Sequence, residues 1–277
     1  NHISFVDTFE LMTPEHATIH YLRDSKCSSN TTIGYYHSLV SKDFLAYWSL
    51  QSEWKSKVFP DYIITNGKKG KEVLIQQGYD SKKIIDGPAL RIKRNSKKIL
   101  NKGDVLLLLC PYETNTACEA IYKLSSALNK LKNFNIDVQV KSHPMMRKSN
   151  ILKKLPNNSL PNKWTWNDSE INEALSSVFC CVVLASASVF DAILNNCVVI
   201  NLQRELSGMG NFSDLFQKEF TVLKEVEDSN LSKKIKDIYE NKNFYTNEFR
   251  KVKSRLIKAH NPINDLTMKC FLKEFPS

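Results

Sequence analysis

The sequence predicts an α/β fold with two domains, each built on a parallel β-sheet, and three observations support this prediction. The chain has 277 residues, which is too long for one small core and suits about two α/β domains. Strand-like and helix-like segments alternate along it, a pattern typical of parallel sheets. The apolar runs Val178–Leu184 and Cys197–Leu202 are continuous, as expected for strands covered on both faces, and a short helical segment joins them. Strand, helix and strand in this order form a parallel βαβ unit.

Composition excludes several classes of protein. No apolar run approaches the roughly 20 residues of a membrane span, and the first residues do not resemble a signal peptide. The seven cysteines are odd in number and include no CxxC pair, which argues against disulfide frameworks and zinc sites. With only eight glycines and no GxGxxG, a standard dinucleotide site is disfavoured. We expect a cytoplasmic protein with no metal and no bound cofactor.

The formal net charge of +10 suggests an anionic partner. Basic residues concentrate in Ile92–Ile99 and Asn247–Lys258. A phosphorylated substrate or an anionic membrane surface would suit them, and a solvated basic surface is the alternative. Nucleic acid is not expected, because no zinc finger or RNA-binding aromatic motif is present.

The first predicted domain covers residues 1–91. Its predicted strands are Ile3–Val6, Thr31–Tyr36, Tyr62–Thr65 and Lys83–Asp86, and its predicted helices are Glu15–Arg23 and Lys69–Gln77. Pro14 suits the first turn of a helix, and Gly78 reads as a helix end. This layer looks short, as though strands that would precede Ile3 belong to an upstream segment, so we expect an incomplete Rossmann-like domain.

Residues 92–102 are basic and poor in large apolar side chains, which predicts a linker, and residues 103–277 form the second predicted domain. Its other predicted strands are Asp104–Cys110, Asp137–Val140 and Phe220–Leu223, and its predicted helices are Thr116–Leu131, Ser169–Ser176 and Val189–Leu194. The end is predicted to be helical from Asn230 to about Lys273, with a break at Pro262.

Three loops of the second domain each follow a predicted strand: Pro111–Thr114, Lys141–Pro144 and Ala185–Ser188. Since the carboxyl ends of parallel strands meet at one sheet edge, the loops should surround one crevice. Their polar or stiffening residues are Tyr112, Lys141, His143, Pro144, Ser186 and Ser188. An imidazole donor, with hydroxyls and amides at a helix start, suits a phosphate. The alternative is that His143 and the serines only cap helices.

These motifs resemble those of a known group. Lys141–Pro144 (KSHP) resembles the His-Pro motif of bacterial sialyltransferases and Kdo transferases that use CMP-activated sugars, and Ser186–Ile200 resembles their serine motif. The first half is similar to capsule and lipopolysaccharide carbohydrate transferases. Its matching residues are Phe9-Glu10, Glu15, the Gly34–Ser38 strand and Gly87-Pro88 with Arg91.

The resemblance covers Phe5 to Leu202 and implies a GT-B glycosyltransferase: two Rossmann-like domains facing across a cleft, with no metal required. By it, His143 and Ser186-Ala187-Ser188 hold the nucleotide phosphate, and Asp191 contacts the ribose. Two departures stand out. Asn195-Asn196 replaces the usual glycine before the last strand, and Tyr36 stands where glutamine is common.

Catalysis in such a cleft needs a carboxylate on the domain opposite the nucleotide. It acts as a base on the acceptor hydroxyl if the anomeric centre inverts, or as a nucleophile if it is retained. Glu10 is the first candidate, Asp7 the second and Glu15 the third, since Glu15 also suits a helix N-terminus. Each has the alternative of a plain exposed carboxylate. His37 is expected to line the same cleft or to serve the structure.

The sequence thus predicts a cytoplasmic, metal-independent glycosyltransferase. It would move a sugar, Kdo or a sialic-type acid, from a CMP-linked donor to a glycan or glycolipid of the bacterial capsule or lipopolysaccharide, in association with the inner membrane surface. Three alternatives remain open: a UDP-sugar epimerase, a transferase of CDP-activated polyol phosphate, and a non-catalytic domain that binds a nucleotide sugar or a glycan.

Overall fold

The computed structural model describes residues 3–24, 30–37, 47–49, 58–90, 92, 103–131, 134, 136–184, 186–204, 216 and 219–271. Of the positions singled out in the sequence, Ser38, Arg91, Ala185 and nearly all of the 92–102 segment lie outside the described residues. The chain forms two compact units. One contains residues 1–94 and 255–277, and the other contains residues 95–207 and 211–254.

The first unit is built on a four-stranded parallel sheet. In spatial order its strands are β1 (Ile3–Thr8), β2 (Asn30–Tyr36), β3 (Tyr62–Thr65) and β4 (Ile84–Asp86). Helix α1 (Thr13–Asp24) follows β1, and α2 (Lys68–Gln76) follows β3. Thr8 pairs with Tyr35, and Tyr36 pairs with Thr65, so the carboxyl ends of these strands are nearly level.

An aromatic cluster fills the core beneath these strand ends. The rings of Tyr36, Tyr47, Phe59 and Tyr79 all lie 5.8–6.5 Å from that of Phe9 between centroids. Gly34 makes room for it, because a Cβ on Gly34 would lie 2.9 Å from the Phe9 ring. The cluster supports the chain just after β1.

The described residues after Ala259 belong to the first unit, whereas the sequence predicted them in the second domain. Helix α8 (Lys242–Ala259) ends there and is followed by α9 (Asp265–Met268). Asn261 donates its backbone N–H to the Asn66 carbonyl at 3.1 Å and accepts from Ala89 N–H at 3.0 Å. Gly67, at φ 143°, lets this segment approach, since a Cβ there would lie 2.8 Å from the Ala259 carbonyl.

The second unit is built on a five-stranded parallel sheet with the spatial order β7-β6-β5-β8-β9. The strands are β5 (Val105–Leu109), β6 (Asp137–Lys141), β7 (Thr165–Trp166), β8 (Val178–Val183) and β9 (Val198–Asn201). The helices are α3 (Thr114–Asn129), α4 (Lys148–Leu152), α5 (Ile171–Ala174), α6 (Ser188–Leu194) and α7 (Asp228–Glu240). Every residue of β8 is buried, as the continuous apolar run predicts.

The structure differs from the predicted elements at two places and confirms one predicted helix break. The predicted strand Phe220–Leu223 is wrong, because Thr221–Leu223 forms a 3₁₀ turn that leads into α7. The edge strand β7 was not predicted, since two residues carry too little periodicity to be recognised. The break at Pro262 is confirmed, as α8 ends at Ala259 and α9 starts at Asp265.

Candidate functional site

Loops from four strands of the second sheet leave from one edge. Leu109 at the end of β5 pairs with Lys141 on one side and with Val183 on the other, and Val183 pairs with Asn201. The carboxyl ends of β6, β5, β8 and β9 are therefore level. Neighbouring strands lie about 5 Å apart, so side chains that follow adjacent strands are close enough to contact one small ligand.

His143 lies two residues after β6 and packs against Tyr112, which follows β5. Their ring centroids are 5.5 Å apart in an edge-to-face arrangement. The Nδ1 atom of His143 accepts a hydrogen bond from the Met145 backbone N–H at 3.2 Å, and its carbonyl accepts from Met146 N–H at 2.8 Å. The imidazole thus stabilises its own turn. With Nδ1 as the acceptor, the neutral ring carries its proton on Nε2, where it is a donor.

Lys141 and Pro144, the other candidates on this loop, contribute differently. The Lys141 amine donates to the backbone carbonyl of Ser169. Ser169 is itself held by Asn167, whose Oδ1 accepts from the Ser169 hydroxyl at 2.7 Å. Lys141 therefore stabilises the segment after β7. Pro144 is exposed.

The serine turn after β8 is held by a local hydrogen bond. Ser186 is only 6% exposed, and its hydroxyl accepts from the Ser188 backbone N–H at 3.3 Å. Ala187 and Ser188 are half-buried at the start of α6, and the half-buried Asp191 lies in its first turn. The N-cap position of α6 is Ala187, which makes no side-chain cap, so the Ser186 hydroxyl serves the turn before the helix, while Ser188 and Asp191 lie nearer the solvent at the same edge.

Two charged residues of this edge were not recognised in the sequence. Arg204 lies three residues after β9, and its Nη2 donates to the Thr116 hydroxyl on α3 at 3.0 Å. Glu113 caps α3, accepting from Asn115 N–H at 2.8 Å and Thr116 N–H at 2.6 Å. Burial alone would raise the pKa of Glu113, but these hydrogen bonds and the positive charge of Arg204 lower it. The position of Arg204 just beyond a buried strand is the signal that could have revealed it.

A second set of candidates lies at the carboxyl edge of the first sheet. Glu10 lies two residues after β1, and its Oε1 is 3.2 Å from Nε2 of His37, which directly follows β2. Their side chains are 41% and 27% exposed, so the pair can be reached from solvent. The His37 carbonyl accepts from the Asn66 side chain at 3.2 Å, which fixes this segment to the end of β3. The structure thus joins two residues that the sequence proposed separately.

Glu15 holds the loop on which Glu10 lies. It is 7% exposed and accepts from the Thr8 hydroxyl at 2.6 Å, Glu10 N–H at 3.0 Å and Met12 N–H at 3.1 Å. These contacts assign Glu15 a structural role. Asp7 is half-buried, and its Oδ1 accepts from the adjacent Thr8 N–H at 2.8 Å.

The negative charge of this edge affects a neighbouring tyrosine. Tyr47 donates its hydroxyl to the Phe9 carbonyl at 3.3 Å. Burial, followed by the charges of Glu10 and Glu15, raises the pKa of Tyr47 well above its usual value, so its hydroxyl stays neutral.

Two structural observations concern metals and membranes. Within the described ranges, no group of three His, Cys, Asp or Glu side chains is arranged to hold a metal ion. No helix in the described part of the chain has the length and apolar character needed to cross a bilayer.

No protein-family model matches this chain, and no curated protein matches its sequence. Solved structures do match its fold. A mutant of S. aureus TarM, in complex with fondaparinux, alpha-GlcNAc-glycerol and UDP, aligns with a TM-score of 0.57 and 11% identity over 93% of this chain and 52% of TarM. This chain therefore spans about half the length of TarM.

Two further structures align over nearly the whole chain. A putative UDP-N-acetylglucosamine 2-epimerase from Listeria monocytogenes gives a TM-score of 0.59 and 16% identity over 99% of this chain and 74% of its own. The wall teichoic acid polymerase TagF, soaked with CDPG, gives 0.53 and 12% over 97% and 73%. The predicted fold class is confirmed: two parallel-sheet α/β domains of the kind found in GT-B glycosyltransferases and epimerases.

Proposed function

We propose that this protein is a glycosyltransferase that moves a sugar from a nucleotide-activated donor to a bacterial surface glycan. The observation that carries the proposal is the grouping of His143, Tyr112 and the serine turn at the carboxyl edge of the second sheet. Open α/β sheets bind nucleotides at this edge. The motifs suggest a CMP-linked donor carrying Kdo or a sialic-type acid.

In this proposal the second unit binds the donor. His143 donates from Nε2 to the phosphate, and the edge contact with Tyr112 holds the imidazole in place. Ser188, at the start of α6, supplies a hydroxyl that can donate to the phosphate. Asp191, in the first turn of α6, accepts from a ribose hydroxyl.

The first unit supplies the reacting carboxylate. Glu10 is proposed as the base on the acceptor hydroxyl if the transfer inverts, or as the nucleophile if it retains. His37 holds the Glu10 carboxylate in one orientation through the 3.2 Å contact. Glu15 fixes the Glu10 backbone, which reduces the freedom lost when the acceptor binds.

The complexes of the structural neighbours support a nucleotide-activated donor and a surface-glycan acceptor. TarM was solved with UDP and alpha-GlcNAc-glycerol, and TagF is a wall teichoic acid polymerase soaked with CDPG. Some of the structural neighbours also favour an alternative function. The epimerase structures favour a UDP-sugar epimerase, and TagF favours a transferase of CDP-activated polyol phosphate. A non-catalytic domain that binds a nucleotide sugar or a glycan is the third alternative.

The deciding experiment incubates the protein with CMP-, UDP- and CDP-linked donors, with and without a surface-glycan acceptor, and measures released nucleotide and sugar product. Release of CMP from a CMP-linked sugar, coupled to sugar transfer, supports the proposal. Release of CMP from a CDP-linked polyol, coupled to transfer of the polyol phosphate, supports that alternative. Conversion of a UDP-sugar to its isomer without net nucleotide release supports the epimerase. Binding without any turnover supports the non-catalytic domain. We propose that transfer is metal-independent and takes place in the cytoplasm at the inner membrane surface, so turnover should persist in EDTA.

A further inference from the structure

Arg204 lies in a position to reach across the edge of the second sheet. It follows β9, yet its guanidinium contacts Thr116 on α3, the helix that follows β5. In the sheet, β8 lies between β9 and β5. The Arg204 side chain therefore extends over the carboxyl end of β8, the strand that leads into the serine turn.

The backbone before Arg204 is held by a buried cation. Lys123 on α3 donates to the Gln203 carbonyl at 2.9 Å and forms ion pairs with Glu119 at 3.2 Å and Asp228 at 3.1 Å. Burial alone would lower the pKa of Lys123, but its hydrogen bonds to the two carboxylates raise it, so the amine stays charged. The position of Arg204 is thus fixed at both its main chain and its side chain.

This placement gives the edge a permanent positive charge opposite His143. A guanidinium has five N–H donors, more than the single bond to Thr116 uses, and its planar fork matches two oxygens of a phosphate. Thr116, which holds the Arg204 guanidinium, and His143 follow the adjacent strands β5 and β6. A phosphate between these two strand ends can therefore contact both Arg204 and His143. His143 offers a single donor atom, Nε2, whereas a guanidinium is always charged and offers several donors.

We propose that Arg204 binds the phosphate of the activated donor from the β9 side of the edge, with His143 on the β6 side. This inference rests on the proposed function, because it assumes that the edge binds a nucleotide. The same chemistry serves the single phosphate of a CMP-linked donor and the two phosphates of a UDP- or CDP-linked donor.

The test is calorimetric titration of the folded protein with cytidine, CMP, CDP and UDP. Arg204→Gln should lower the affinity for CDP and UDP about tenfold or more, as expected for a lost charge-assisted bond, and leave cytidine unchanged. The affinity for CMP should fall equally if Arg204 binds the phosphate next to the ribose. Arg204→Lys should recover part of the loss. Lys233→Gln, which removes an exposed cation on α7, is the matched control and should change nothing. Circular dichroism checks that each variant is folded.

A comparison of the affinities for CMP and CDP shows which phosphate of the nucleotide Arg204 binds. If Arg204 binds a second phosphate, Arg204→Gln removes any advantage of CDP over CMP, and if it binds the first, both lose affinity equally. Either result supports the assignment. Unchanged affinity for every nucleotide in folded Arg204→Gln, with a loss in His143→Ala, overturns Arg204 and leaves the proposed function standing. Failure of the unmodified protein to bind any nucleotide overturns both.

Discussion

The carboxyl edge of the first sheet carries Glu10 and Glu15 with one imidazole, His37, whereas the same edge of the second sheet carries His143, the serine turn and Arg204. The second edge also carries the carboxylates of Glu113 and Asp191, but it adds the guanidinium of Arg204, which has no counterpart among Glu10, Glu15 and His37. A carboxylate edge can activate a hydroxyl group but repels phosphate, while a donor edge binds phosphate. This difference supports the proposal that the reacting group lies in the first unit and the nucleotide binds to the second.

The largest expected effect concerns Glu10. Glu10→Gln keeps the shape and removes the charge, so turnover should fall by about a hundredfold or more, in the range of a general acid–base contribution. CMP affinity should stay nearly constant, because the proposal places the phosphate at the carboxyl edge of the second sheet. Steady-state kinetics with a confirmed donor and acceptor, together with calorimetry, measure both quantities.

Asp7→Asn is the matched control for Glu10. The Asp7 carboxylate is engaged with the adjacent Thr8 N–H, so its amide variant should retain most of the turnover. If Asp7→Asn is the inactive variant and Glu10→Gln is active, the reacting carboxylate is Asp7. If both variants stay active, neither Glu10 nor Asp7 is the reacting carboxylate, and the proposed catalytic role of the first edge is wrong.

Glu15 separates a structural carboxylate from a catalytic one at the same edge. Glu15→Ala leaves the Thr8 hydroxyl and two backbone N–H groups without their acceptor, and should lower the free energy of unfolding by about 2–3 kcal/mol. Glu15→Gln keeps one acceptor oxygen and should cost less. Urea denaturation measures both. Unchanged stability in Glu15→Ala would contradict the structural role.

His143→Ala tests the donor edge. Loss of one phosphate contact should weaken CMP binding by about 1.5–3 kcal/mol, or roughly ten- to a hundredfold. Calorimetry at constant salt is the measurement, and cytidine is the matched ligand without phosphate. Equal losses for CMP and cytidine would mean that His143 acts only by stabilising its own turn.

A smaller effect concerns pH. His260 is buried near the end of β3 in the first unit, and burial lowers its pKa despite the opposing backbone hydrogen bond with Leu256. The unfolded chain therefore takes up a proton on His260 before the folded chain does. The contribution to stability is complete above the unfolded pKa of about 6.5 and is lost as the pH falls below it. Denaturation between pH 5 and 7 should show this slope, and His260→Gln should flatten it. An unchanged slope contradicts the assignment.

The smallest effect concerns the proposed anionic membrane surface. Phe249, Val252 and Leu256 of α8 are buried, while Arg250 and Lys251 are exposed. Each basic residue near an anionic leaflet contributes about 1 kcal/mol. Liposomes with anionic lipid should therefore bind the protein in a salt-sensitive way, and Arg250→Gln with Lys251→Gln should weaken binding. Absent or salt-insensitive binding leaves only a solvated basic surface.

Strands and the levels of their ends could be predicted because they depend on local patterns. The run Val178–Leu184 predicts β8 nearly to the residue, and Pro262 marks the end of α8. Residue placement at the edges followed from the parallel topology, so Tyr112, His143 and Ser188 could be grouped in advance.

Side-chain partners could not be predicted in the same way. The contact of Glu10 with His37 joins residues that follow separate strands, and that of Arg204 with Thr116 spans 88 residues. The sequence grouped Lys141 with the residues expected to bind phosphate, but its flexible side chain donates to the Ser169 carbonyl. The segment at Asn261 joins the first unit through backbone hydrogen bonds to Asn66 and Ala89, and such bonds leave no pattern in the sequence.

The crystal structure of the protein soaked with CMP tests the central claim most directly, because it locates the nucleotide. We predict the phosphate at the carboxyl edge of the second sheet, within about 3 Å of His143 Nε2 and of the Arg204 guanidinium, as hydrogen bonds require. CMP bound at the Glu10 and His37 edge of the first sheet, or away from both edges, would contradict the assignment of the nucleotide to the second unit.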